Sequence, residues 1–90
     1  MLQEPHLIYA IHMTNRFRHA GDVQGLLTLY SAHIKTRLGL HEVRNGESSP
    51  NGLIVLEMWG DDRKCQELFD RLNAIAEVEV KAISFEHPAD

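Results

Sequence analysis

The sequence predicts an α+β fold, a ferredoxin-like βαββαβ sandwich in which a four-stranded antiparallel sheet carries two helices on one face. Three observations predict it. Apolar residues run with strand character over His6 to Met13, Leu53 to Trp59 and Glu77 to Phe85. They recur at helical spacings of three, four and seven over Asp22 to Thr36, and again after Gly60. Right-handed crossovers then place both helices on the same side of the sheet.

In the first strand Leu7, Tyr9, Ile11 and Met13 share one face, and Ile8, Ala10 and His12 the other. The first helix carries Val23, Leu26, Leu27, Tyr30 and Ile34 on its stripe, with Asp22 as the expected N-cap. Gly25, inside that helix, suggests close approach of a neighbouring backbone. Arg37 to Val43 is the second strand, with Leu38 and Leu40 on one face and Arg37, Gly39, His41 and Val43 on the other. Asn45-Gly46 and Ser48 to Gly52 are dense in turn residues, so a polar loop is expected from Arg44 to Gly52.

The third strand is nearly continuously apolar and interrupted only by Glu57, the signature of burial on both faces. Gly60-Asp61-Asp62 opens the second helix with acids at its positive end, and Cys65, Leu68, Phe69, Leu72 and Ile75 form its stripe. Cys65 therefore reads as a structural thiol. If Ile54, Leu56 and Met58 face the helices, then Leu53, Val55, Glu57 and Trp59 lie on the bare face, with Gly39, His41, Ile83 and Phe85 beside them. A bare apolar sheet face predicts a partner, most simply a second copy of the chain in a homodimer or tetramer.

Ninety residues form one expected domain, 1–90, which buries roughly 60 to 65% of its unfolded surface. A net charge of −4 with neutral histidines speaks against direct nucleic-acid binding, which depends on basic side chains neutralising phosphates. One cysteine suits a reducing compartment, and no apolar run approaches the roughly 20 residues that cross a bilayer, so a cytoplasmic location with no membrane partner is expected.

The segments Ala32 to Val43, with its Thr36-Arg37-Leu38-Gly39-Leu40-His41-Glu42 run, Ser49 to Glu57, and Val78 to Lys81 together resemble the small ACT-like proteins described as iron-only hydrogenase system regulators. The resemblance spans nearly the whole chain and implies a regulatory role. More distantly the chain resembles the C-terminal regulatory domain of nickel-responsive repressors. Only His41 falls near one of that family's ligand histidines; Gly39 takes the partner position, and Ser48 or Ser49 stands near its ligand cysteine. The chain lacks their ribbon-helix-helix arm, so a transcriptional role would be expected to need another protein.

ACT-like proteins hold small ligands between a strand end and a helix N-terminus, which here corresponds to the segment Thr14 to Asp22. Asn15, Arg16, Arg18 and Gly21, with Arg37 and His41, are the candidate ligand-binding residues. Helix amides and arginines suit a carboxylate, so an amino acid or small organic acid at a subunit interface is the expected effector. No cofactor, catalytic residue or metal ligand is assigned. The alternatives are a metal sensor built from His12 and His41 at an oligomer interface, and a small dimeric α/β-barrel enzyme with His12, His41, Glu57 and Trp59 lining a pocket. Gly21-Asp22-Val23-Gln24-Gly25 is similar to the acylphosphatase signature, but Leu29, expected to face the core, stands where that chemistry needs arginine.

Overall fold

The computed structural model describes residues 6–44 and 47–86, with the side chains at 16, 17 and 41–50 outside the description. The elements are β1 (His6–Met13), α1 (Arg16–Leu29), a 3-10 turn (Ser31–His33), β2 (Ile34–Arg44), β3 (Glu47–Met58), α2 (Asp62–Asn73) and β4 (Val78–Phe85). All pairings are antiparallel and the strand order is β2-β3-β1-β4. This is the ferredoxin-like arrangement that the sequence predicts.

Strand alternation sorts the sheet into two faces. Tyr9, Ile11, Met13, Ile54, Leu56, Met58, Val78 and Val80 point inward and are buried against Val23, Leu27 and Tyr30 of the α1 side and Cys65, Leu68 and Leu72 of α2. Each fully buried Leu or Ile contributes about 1.5 to 3 kcal/mol from its removal from water. Tyr9, at the centre of this layer, donates its hydroxyl to the Cys65 carbonyl at 2.8 Å. Burial pushes its pKa up to about 12, so it stays a neutral donor.

α1 begins six residues earlier than the apolar spacing predicts. Asn15, not Asp22, is the N-cap residue, and its side chain makes no capping bond. The inner stripe runs His19, Val23, Leu27, Tyr30, and its first member is polar, so a count of apolar residues misses the first turns. His19 is tolerated there because its Nε2 lies 3.0 Å from Glu77 Oε1. The helix also ends earlier, and Ile34 belongs to β2 rather than to the stripe. Leu29 is 64% exposed and does not face the core.

The expected polar loop is largely strand. Arg44 pairs with Glu47 and Val43 with Ser48, so backbone pairing carries turn-rich residues into a hairpin arm, and Asn45-Gly46 lies outside the described residues. A second correction concerns β2, where the register is interrupted between Ile34 and Thr36. Beyond that bulge Arg37 and Gly39 align with the inward Leu56 and Ile54, whereas Leu38 and Leu40 align with Val55 and Leu53. The leucines, not Gly39, therefore share the bare face, and the side chain of His41 lies outside the described residues.

α2 follows its predicted pattern. The Asp61 side chain accepts from Arg63 N at 2.8 Å and Lys64 N at 3.3 Å, which holds its carboxyl below the usual value. Gly60 has φ +90°, a conformation that favours glycine, and a Cβ there would also crowd His33 Nδ1 at 3.1 Å. Gly25 is different: it is exposed, and a Cβ placed on it meets nothing within 4 Å, so no backbone approaches it. Gly25→Ala is therefore expected to stabilise the fold by up to about 1 kcal/mol, read as a higher urea midpoint with unchanged slope.

Candidate functional site

The bare face is a grid set by strand pairing. Across β2, β3, β1 and β4 the rows read Leu40, Leu53, His12, Glu79; then Leu38, Val55, Ala10, Lys81; then Thr36, Glu57, Ile8, Ile83; and His6 pairs with Phe85 in a further row on β1 and β4. Leu38 is 55% exposed, Leu40 43%, Ile83 53% and Phe85 57%, while Leu53, Val55, Ile8 and Ala10 are half-buried between them. Trp59, 57% exposed, lies one residue past β3 rather than within it. Together these side chains form a contiguous, partly exposed apolar patch.

One polar corner interrupts the patch. Glu57 Oε1 accepts from Thr36 Oγ1 at 2.9 Å, and its Oε2 lies 2.6 Å from His6 Nε2. The Thr36 hydroxyl and then His6 hold the Glu57 carboxyl below its ordinary value. The histidine partner of Glu57 is thus His6, which no sequence pattern singles out. In the backbone register His12 pairs with Leu53 and His41 with Gly52, one position apart. Among the described residues no group of three or more His, Cys, Asp or Glu side chains is arranged to hold a metal ion.

The candidate anion site is divided. Asn15, Arg18 and Gly21 lie at the start of α1 itself rather than on a loop before it, because the helix begins at Arg16. Arg18 Nη1 is 3.8 Å from Glu77 Oε1, the same oxygen that His19 approaches, and the backbone N–H of Thr14 donates to the Glu77 carbonyl at 2.9 Å. Glu77 adopts φ +65°, an uncommon conformation for a side chain of this size, held by these contacts. The position that suits a ligand carboxylate is therefore occupied by the protein's own. Arg37 is on the opposite edge strand, where it donates to the Gln24 side chain of α1, so it does not join Arg18. The side chains of Arg16 and His41 lie outside the described residues.

One cleft, of about 240 Å³, opens between α2 and the β1 and β4 strands. Leu7, Tyr9, Ala82 and Phe69 form its apolar lining, and Asp62, Gln66 and Ser84 its polar rim. It exists because β4 carries small side chains, Ala82 and Ser84, once Val80 has met α2. No helix among the described residues is long and apolar enough to cross a membrane.

Comparison with known proteins extends the description of the fold. The chain is similar to the structure of an uncharacterized protein from Thermotoga maritima, with a TM-score of 0.76 and 27% identity over 90% of this chain and 98% of that one. It is also similar to a nitrogen regulatory PII-like protein from Thiomonas intermedia K12, solved with ADP, AMP and bicarbonate, with a TM-score of 0.56 and 15% identity over 96% and 98%. The second likeness is one of fold. No protein-family model matches the chain, and no curated protein does.

The Glu57 corner yields a prediction. A carboxyl held below its ordinary value of 4.5 lends stability above that pH and loses it as pH falls through the lowered value. Thr36→Val removes the leading cause, so the Glu57 titration followed by carbon NMR should move up toward 4.5.

Proposed function

We propose that the chain is a small, non-enzymatic, ACT-like regulatory module that works as a homo-oligomer and responds to a small acidic metabolite. The observation that carries this reading is the bare sheet face, on which Leu38, Leu40, Ile83 and Phe85 stand 43 to 57% exposed. At roughly 25 cal/mol per Å², a standard interface of about 800 Å² per partner supplies enough to hold a dimer after association costs. The similarity in fold to a PII-like regulator solved with nucleotides and bicarbonate supports ligand-linked regulation as the class of role. The resemblance to iron-only hydrogenase system regulators supports the same class, and a cytoplasmic location fits it.

For the effector, the candidate set is Asn15, Arg16, Arg18 and Gly21 at the start of α1, with Arg37 and His41 contributed across a subunit interface. An amino acid or organic acid binding there must displace Glu77 from Arg18 and His19. Such exchange of one carboxylate for another costs little net electrostatic energy, since Arg18 and Glu77 form an exposed pair. It also transmits a change, because the Glu77 backbone leads directly into β4.

Light scattering should return at least twice the 10.3 kDa of one chain at micromolar concentration, and Ile83→Asp should return the chain to monomer with its helical circular dichroism intact. A monomeric wild type would end the reading. A thermal-shift screen of amino acids and organic acids should give a stabilising hit that Arg18→Ala weakens at least tenfold; a hit indifferent to that change would place the effector elsewhere.

A further inference from the structure

The bare face is more than greasy: its charges are arranged. The apolar residues do not fill the grid but run along one diagonal, from Leu40, Leu53, Leu38 and Val55 at one corner to Ile8, Ile83 and Phe85 at the opposite one. The two remaining corners are polar and of unlike character. One holds Glu79 and Lys81 on β4; the other holds Thr36 and Glu57, with Lys35 in the adjoining bulge. Glu57 is negative and tied down by Thr36 and His6, whereas Lys81 and Glu79 make no salt bridge among the described residues.

A face that is apolar along a diagonal and carries complementary charges at its off-diagonal corners is complementary to itself under one operation, a two-fold axis lying along that diagonal. Resting on the self-association proposed above, we propose that two copies of this chain pack bare face to bare face about that axis, so that Lys81 of each chain meets Glu57 of the other. Strands about 4.8 Å apart and residue pairs about 6.8 Å apart along them place Val55 and Ile8 on the axis. The same spacings bring the second copy's lysine to within roughly 4 Å, in projection, of a point between Thr36 and Glu57. Glu79 of that copy falls beyond the β2 edge on the side of Lys35.

Other two-fold arrangements lose this match. An axis parallel to the strands lays Leu38 over Lys81, burying an ammonium against a leucine without an anion. An axis across the strands lays Lys81 over its own copy, and like charges repel. The diagonal axis leaves both acids of the face within reach of lysines and buries its leucines and isoleucines together. Its strands cross at roughly 70°, near the orthogonal class of sheet packing.

Analytical ultracentrifugation of the full chain tests the pairing through single and mixed charge reversals. Lys81→Glu sets acid against acid at both Glu57 contacts of its homodimer, and Glu57→Lys sets lysine against lysine at both, so each variant alone should dimerise at least tenfold more weakly than wild type. Mixed in equal amounts, the two variants restore one attractive contact, set beside one reversed in sign but equally attractive, and should recover most of the wild-type association as a heterodimer. Circular dichroism confirms that Glu57→Lys, which also loses Thr36 and His6, remains folded; Lys81→Glu breaks no salt bridge within its own chain. If the single variants associate as wild type does, or the mixture fails to recover, this packing is overturned while self-association by another route stands. A wild type that stays at 10.3 kDa when concentrated well above the micromolar range overturns both.

Discussion

Two helices cover one side of a sheet that is apolar on both, and the demands this fold places on its surroundings follow from that imbalance. The centre of the inner side is sealed, with Ile11, Leu56, Leu68 and Leu72 at 0% exposure, and only the cleft beside α2 and β4 opens it. Nothing within the described chain covers the outer side. β3 registers the consequence most clearly, because its inward residues Ile54, Leu56 and Met58 are buried while Leu53 and Val55, equally apolar, remain half-exposed. Packing against water is the costlier state for such a surface, so the outer face sets a demand for a partner that the inner core cannot meet.

The helices are held by specific polar contacts as well as by the core, and these decide where ligands fit. At the C-terminal end of α1, the Tyr30 hydroxyl donates to Glu67 Oε1 at 3.1 Å and accepts from Arg71 Nη1 at 3.0 Å, while the Arg71 guanidinium stands 5.7 Å from the Tyr30 ring centre. At its N-terminal end the clamp is Glu77, which receives Arg18 and His19 through its side chain and Thr14 through its carbonyl. With Asn15 making no side-chain cap, that glutamate supplies the negative charge favoured beside a helix N-terminus. Of the candidate arginines, Arg18 on α1 is thus engaged with Glu77 beside β4, and Arg37 on β2 with Gln24.

Fold class was legible because it depends on averages over many residues: the order of strand-like and helix-like segments survives errors of several positions at each boundary. The inner stripes of α2 and β1 were legible too, since Cys65, Leu68 and Leu72, and Tyr9, Ile11 and Met13, are uniformly apolar at the proper period. What escaped depends on single residues. His19 fills an apolar-stripe position with a paired imidazole, so periodicity placed the helix start at Asp22. The bulge between Ile34 and Thr36 exchanged the faces of β2, moving Leu38 and Leu40 outward; a pattern of alternating residues cannot reveal which face is inner without its register. The Glu57 to His6 contact spans 51 residues and rests on the pairing of β1 with β3, which is equally invisible in the local pattern.

Strand pairing also links the two surfaces that matter. Thr14 is bonded to Glu77, and the residues on either side of that clasp, Met13 and Val78, are partners in the sheet; the next pair along is His12 with Glu79, which face outward. Glu77 therefore stands two residues from Glu79, the first residue of β4 on the bare face. Glu77 holds φ +65° while its carboxylate meets Arg18 and His19 and its carbonyl accepts from Thr14, so displacing the carboxylate removes one of the contacts on a backbone conformation that residues other than glycine seldom adopt. In the proposed reading, an acid that takes its place on Arg18 would act beside the outer corner carrying Glu79 and Lys81, the corner that the proposed packing sets against Glu57 of a second copy. Under the proposed function, an acid that releases Glu77 and an assembly that contacts β4 would be linked, and that linkage would be reciprocal: an oligomer favouring the released form would bind the acid more tightly.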